Sequence, residues 1–355
     1  MKVGLLLVFL LAFSCKQEVG KHIYSFPESS GLDHILTKNS LLVAIYPPFN
    51  PSPEQDQTTN SKLPPMPAGG EQILSIYNRI LQERVGDQTL IIRSGLRGQD
   101  DAKEMAPFIF PDEADLNHLL TRDFEKNPIQ KFIISNIQDA KKAQPLGMIQ
   151  EIRTKKFRVG VINYISYFSL SDEFNKKNNR FLFDDPLKMF LEDWPSARKQ
   201  NYDFIILALH IQHRCHFPAA REAIDFSHTI TPFTVTCPKD DPLEKILKII
   251  PPKGVDLIVI NGMEREGRGQ YMGIPIAQIP THGKYVLPVV FSKDDNEKNQ
   301  ILLPYLKLCH RFFKGTGDCH VETDYPEIQA KRIDIIKDEH FAIEPALFLG
   351  KTIQP

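Results

Sequence analysis

The chain has 355 residues, 42% hydrophobic and 25% charged, with 43 Lys and Arg against 44 Asp and Glu and a formal charge of -1 at pH 7. That length and apolar content support one large packed domain, or one domain with an extension. The charge balance excludes an electrostatic nucleic-acid footprint, and the pairs Lys141-Lys142 and Lys176-Lys177 are short enough to be solvated faces.

The first segment combines Lys2, an apolar run from Gly4 to Phe13, and Ser14-Cys15. A short basic region, an apolar region of secretory length and a small residue before cysteine form an export signal. Residues 1–15 are read as a lipoprotein signal with Cys15 as the lipidated residue; an ordinary signal peptide or short anchor is the alternative. The expected location is the bacterial cell envelope, with the membrane as a partner through the lipid. No later stretch approaches the ~18 consecutive apolar residues of a spanning helix. Residues 16–40 read as a tether.

An apolar strand follows from Leu41, and then a proline-rich stretch from Pro47 to Pro67 containing Pro48, Pro51, Pro53, Pro64 and Pro65. Proline lacks the amide donor that a ladder or helix interior needs, so this stretch is expected neither to pair as a strand nor to continue a helix. It reads equally as an insertion and as a lid. The apolar spacing next predicts a helix over Leu74–Val85 and strands over Leu90–Arg93, Phe132–Ile137 and Arg158–Ile162. A helix over Pro186–Trp194, a strand over Phe204–Leu209, a helix over Leu243–Ile250 and a strand over Val255–Ile260 come after, the last running into a glycine turn at Gly262. Leu302–Phe313 reads as a helix and Phe341–Leu349 as an apolar tail. Short β-branched runs between amphipathic helices imply an α/β fold with sheets covered by helices.

Five cysteines less Cys15 leave Cys215, Cys237, Cys309 and Cys319, an even set. In an oxidising compartment disulfides are the default, with 215–237 and 309–319 the simplest of three pairings. Three of the four precede a histidine (His216, His310, His320), and His210 and His213 are near, so a thiolate and imidazole site for zinc or copper is the competing reading.

Residues from about Leu41 to Phe291 resemble, in order, the calcineurin-like metallophosphoesterase domain of bacterial 5'-nucleotidases. Val255-Asp-Leu-Ile-Val-Ile-Asn-Gly-Met-Glu-Arg265 is similar to the strand that ends in that family's Gly-His-x-His turn, with Met263 and Arg265 where two metal-binding histidines belong. Gly273-Ile-Pro-Ile-Ala-Gln-Ile-Pro-Thr-His-Gly-Lys284 resembles the strand after it. Leu41 to Phe49 resembles the strand ending in Asp-x-His, with Tyr46 and Pro48 as the counterparts. Gly69-Gly70 matches the opening of the first helix, and Leu96 stands for a bridging aspartate after Thr89-Leu-Ile-Ile-Arg-Ser-Gly95. Phe110-Pro-Asp-Glu-Ala-Asp115 is the counterpart of Gly-Asn-His-Glu-Phe-Asp, so Pro111 and Asp112 replace an asparagine ligand and the catalytic histidine. Phe132–Ile137 and Phe157–Ile162 resemble two further family strands, and Phe204–His210 the strand ending in a ligand histidine. His210 alone keeps a ligand identity.

The resemblance implies a four-layer α/β/β/α sandwich over residues 41–291 and a short C-terminal extension over 292–355 packed on it. The extension is shorter than the family's nucleobase-stacking domain, so nucleoside recognition of that type is not expected. A dinuclear centre needs many carboxylate, imidazole and amide donors, which Leu, Met, Tyr and Pro do not supply. His210 and His213 remain candidate metal ligands, with a hydrogen-bonded histidine as the alternative. Arg265 suits a bidentate anion or an ion pair with Glu264 or Glu266. The implied function is a non-catalytic, lipid-anchored binding or structural module without cofactor, for a protein or an anionic ligand. The alternative is a divalent-metal phosphohydrolase with a site rebuilt from Asp112, Glu113, Asp115, His210 and His213.

Overall fold

The computed structural model describes residues 39–46, 54–56, 66–70, 73–79, 88–95, 108–111, 113–121, 132–140, 144–145, 149–218, 224–225, 233–263, 266–280, 283–294, 297–303, 305–308, 311–313 and 332–334. Their strands are β1 (Ser40–Tyr46), β2 (Glu54–Asp56), β3 (Met66–Ala68), β4 (Thr89–Ser94), β5 (Phe108–Phe110), β6 (Ile137–Asp139), β7 (Gln144–Pro145), β8 (Gln150–Arg153), β9 (Arg158–Ile165) and β10 (Phe181–Phe183). Then come β11 (Phe204–His210), β12 (Ile224–Asp225), β13 (Leu257–Met263), β14 (Gly267–Tyr271), β15 (Ile274–Pro280), β16 (Tyr285–Asp294), β17 (Glu297–Leu302), β18 (Leu306–Lys307), β19 (Arg311–Phe313) and β20 (Arg332–Asp334). The helices are α1 (Glu113–Thr121), α2 (Asp172–Lys177), α3 (Pro186–Lys199) and α4 (Pro242–Ile249), and residues 73–79 are also helical.

One sheet runs β12-β17-β16-β1-β4-β5 with β18 attached to β16, and a second runs β14-β15-β13-β11-β9-β8. β1, β4 and β5 are mutually parallel, as are β9, β11, β13 and β15. Alternation along each strand explains how the sheets are held. Leu41, Val43 and Ile45 of β1, Val159 and Val161 of β9, and Phe204, Ile206 and Ala208 of β11 form one shared core with Leu287, Val289 and Phe291 of β16. The intervening Ile162, Tyr164, Ile205, Leu207 and Ile258 pack with Phe190, Leu243, Ile246 and Leu247 of α3 and α4. A parallel strand covered on both faces has no solvent side, which is why these runs are continuously apolar.

α3 and α4 start alike, at Asp185-Pro186 and Asp241-Pro242. Each aspartate is extended and accepts first-turn amides, and each proline takes the first helical position, where no amide partner is lost. α3 runs five residues past the expected Trp194, across Pro195, because its inner face is fixed by buried Ala197 and by Asp193, which accepts the Tyr164 hydroxyl at 2.8 Å.

Four expectations are corrected. Leu302–Phe313 is not a helix: Leu302 ends β17, Leu306–Lys307 and Arg311–Phe313 are strands, and the first sheet therefore continues beyond Phe291. Pro304 has no amide for a helix, while Leu303 and Leu308 donate instead to Pro288 and Lys284 of the β16 region. The proline-rich stretch does pair, Glu54–Asp56 with Met66–Ala68, placing Pro67 in a two-stranded ribbon where a missing donor is tolerated. Phe132–Ile137 is not a continuous strand, since Phe132 makes a single bridge to Ile109 and regular pairing starts only at Ile137. Side chains of Ser135 and Asn136 take the backbone partners that a ladder would have used. Finally, β13 does not end in a turn at Gly262 but runs through it to Met263, with a register irregularity after Ile260.

Candidate functional site

The parallel strands of both sheets end at one pole, and a buried hydrogen bond joins the two sets of ends: Ser94 Oγ, closing β4, donates to Asn261 Oδ1 of β13 at 3.0 Å. Asn261 is level with His210 at the end of β11, and His210 with Ile165 at the end of β9. Tyr46 and Arg93 pair at the ends of β1 and β4, and Pro111 follows β5. Among the expected site residues the described structure thus brings Tyr46, Pro111, His210 and Met263 to this pole by their strand ends. Pro48, Leu96, Asp112 and Arg265 lie outside the described residues, as do Cys15, Cys309 and Cys319.

His210 is partly buried, and desolvation pushes its imidazole down to about 4, opposed by the negative charge of Glu113. It is a neutral base near pH 7. Glu113, in the first turn of α1, is already engaged: its carboxylate accepts from the Ser171 amide at 2.7 Å and from the Ser171 hydroxyl. Ser171 in turn caps α2 by accepting from the Phe174 amide at 3.1 Å.

Tyr46 is fully buried, its hydroxyl lacks a hydrogen-bond partner, and burial raises its ionisation well above the ordinary phenol range although Arg93 acts the other way. It cannot supply a phenolate. His213 lies in the loop that follows β11: its Nδ1 accepts the Cys215 amide at 3.1 Å and its ring lies 5.7 Å from Phe217. Burial depresses its proton affinity, against Asp241 and Gln278. Among the described residues no three His, Cys, Asp or Glu side chains converge on a point that could hold a metal ion.

The Cys215–Cys237 disulfide is present and ties the loop after β11 to the segment before α4. The same segments form a His216–Thr236 bridge, and Asp241 accepts the Arg214 amide at 2.7 Å while capping α4. These two cysteines hold each other rather than the alternative metal.

Two features were not legible in the chain. Asn136 locks the rim: its amide donates to the carbonyls of Ile165 and Asp184 at 2.8 and 2.7 Å, and its oxygen accepts the Ile165 amide at 2.9 Å. The loop after β9 presents Tyr167 and Phe168 as an edge-to-face pair, Phe168 being 89% exposed, and is pinned beside His210 by the Ser166 amide donating to the His210 carbonyl and the Gln212 amide to Ser169 Oγ. Ser-Tyr-Phe-Ser carried the only sequence signal, an aromatic pair between two serines directly after an apolar strand.

No protein-family model and no curated protein matches this chain. Solved structures do. A Staphylococcus aureus protein described as a 5'-nucleotidase, in complex with alpha-ketoglutarate, superposes with a TM-score of 0.54 at 14% identity over 82% of this chain and 57% of its own. The calcineurin-like phosphoesterase YfkN from Bacillus subtilis gives 0.49 at 12% identity, over 86% of this chain and 98% of its own. A 5'-nucleotidase precursor from Thermus thermophilus gives 0.48 at 13%, over 76% and 55%. This chain spans little more than half the length of the first of these. Its mixed α/β architecture is that of the calcineurin-like phosphoesterases and 5'-nucleotidases.

Proposed function

We propose that this chain is a lipid-anchored protein of the bacterial cell envelope whose phosphoesterase-type scaffold binds a partner or an anionic ligand without hydrolysing it. In this reading residues 1–15 are the signal, with Cys15 carrying the lipid, residues 41–291 form the four-layer domain, and residues 292–355 complete it. The observation that carries the reading is the donor set at the strand ends: a buried neutral phenol at Tyr46, a proline at Pro111 and one imidazole at His210. Neither of the first two can ligate a cation, and one histidine does not hold two. Glu113, near enough for its charge to act on His210, favours the second reading, a metal-dependent phosphohydrolase with rebuilt ligands, but both its oxygens already serve Ser171.

The test is metal analysis of the purified mature protein together with hydrolysis of nucleoside monophosphates and a chromogenic phosphate ester, before and after chelation. The expected result is no stoichiometric divalent ion and no chelator-sensitive turnover. Two bound ions per chain, with turnover lost on chelation, would establish the rebuilt hydrolase.

A further inference from the structure

The pole opposite the candidate site is built quite differently. Its carboxylates are sunk and each is spanned by a more exposed cation. Glu151, 22% exposed, meets Arg153 and Arg158 at 74% and 39%; Asp203, 20%, meets Lys293 at 36%; Asp256, 10%, meets Lys298 at 35%. Around these pairs Lys155, Lys156, Lys199 and Lys253 are all exposed. Thr154 closes the Thr154–Phe157 turn that carries two of these lysines: its amide donates to the Phe157 carbonyl and its hydroxyl oxygen accepts the Phe157 amide, both at 2.9 Å, and the Lys156 amide at 3.3 Å.

The same pole is where the described chain begins. The Asn39 carbonyl accepts the Lys293 amide at 3.2 Å, and Asn39 leads directly into β1. Between Cys15 and Asn39 lie the residues numbered 16–38, a segment that spans at most about 80 Å even fully extended. A lipid on Cys15 would therefore be joined to the domain at this pole rather than at the His210 pole.

From this juxtaposition of exposed cations and chain entry we propose that the pole bearing Arg153, Lys155, Lys156, Lys199 and Lys253 is the face this protein lays against anionic phospholipid headgroups, turning the His210 and Phe168 rim away from the membrane. The proposal rests on the lipid-anchor reading given above. Each surface Lys or Arg adds attraction to an anionic leaflet, screened within a Debye length. Asp294 ends β16 and Glu297 opens β17, with Asp295 next to them in the sequence, so this stretch carries charge of the opposite sign.

The experiment reconstitutes the mature lipidated protein in vesicles of phosphatidylglycerol or of phosphatidylcholine, with the photocrosslinking residue p-benzoylphenylalanine placed at Lys156 or at Phe168. Crosslinks to lipid are expected from position 156 on phosphatidylglycerol, with at least tenfold less from position 168 and from either position on phosphatidylcholine. Equal crosslinking from both positions, or more from 168, overturns the orientation. The mass of the mature chain first reports whether Cys15 carries lipid, so failure of the anchor is separately visible. In either case the full chain bearing Cys15→Ala is sedimented with phosphatidylglycerol vesicles at low and high salt. Binding should fall at least tenfold in Lys155→Glu/Lys156→Glu and rise in Asp294→Asn/Asp295→Asn/Glu297→Gln, with circular dichroism unchanged. Binding indifferent to salt and to both variants overturns the proposal.

Discussion

The two poles of the β-sandwich use polar residues to opposite ends. At the amino ends of the parallel strands, Asp203 and Asp256 accept the backbone amides of Arg158 and Ile205 at 2.8 and 2.7 Å and then meet Lys293 and Lys298 from the other sheet. Charge there is paired, directed at backbone and used to clasp one sheet to the other. At the carboxyl ends the described polar groups include pairs made within the rim, Ser94 with Asn261, Asn136 with Ile165 and Asp184, Glu113 with Ser171, and a neutral His210. An α/β fold places reacting groups at the carboxyl ends because strand termini and loops converge there. Among the described residues that pole is held by contacts that stabilise the rim.

The contrast between the poles is most sharply broken at Asp256. Replacing it with alanine removes the acceptor of the buried Ile205 amide and uncovers Lys298, and should lower stability by about 3 kcal/mol, read as a shift in the urea midpoint at constant slope. Removal of the Cys215–Cys237 link by a double serine substitution should cost about 3 kcal/mol for a loop closed at a sequence separation of 22, measured by thermal unfolding with and without reductant. Wild type should then lose stability on reduction and the variant should not. Asn136→Ala should cost about 2 kcal/mol, because it strands the buried Ile165 amide, and should loosen the Phe168 loop as faster amide exchange over residues 165–170.

Titration separates the poles more finely. The His210 imidazole is held near 4 in the folded chain and returns to about 6.5 when unfolded, so the unfolded state binds the extra proton first. Stability tied to His210 is therefore intact above pH 6.5 and declines as pH falls toward 4. His210→Gln should flatten that part of the stability profile while leaving the range from about pH 7 to 8 nearly unchanged, which parallel urea titrations would show. Phe168→Ser is expected to have the smallest effect, under about 0.5 kcal/mol, since the ring is 89% exposed and contributes no core. A larger loss would mean that the rim loop is part of the fold rather than a presented surface.

Reading the chain succeeded where burial forces pattern. β9, β11 and β13 sit under helices on one face and under the other sheet on the other, so each had to be continuously apolar, and each was recognisable from that alone. It failed where a side chain competed with the backbone. Asn136 and Ser135 interrupt what the apolar letters of Phe132–Ile137 would otherwise build, and Leu302–Phe313 has helical spacing but Leu302 and Leu306–Lys307 pair with β16 and Arg311–Phe313 with β20. The strand-end residues could be named from the sequence; the contacts they make could not.

Sequence by itself determined the two-sided strands and made Cys215 with Cys237 the simplest of three cysteine pairings. Those are properties of residue type and short-range order along the chain. Only the tertiary structure decided that Glu113 commits its carboxylate to Ser171, that burial leaves His210 uncharged, and that exposed lysines gather where the chain enters β1. Desolvation and pairing depend on groups far apart in sequence, so no local pattern encodes them.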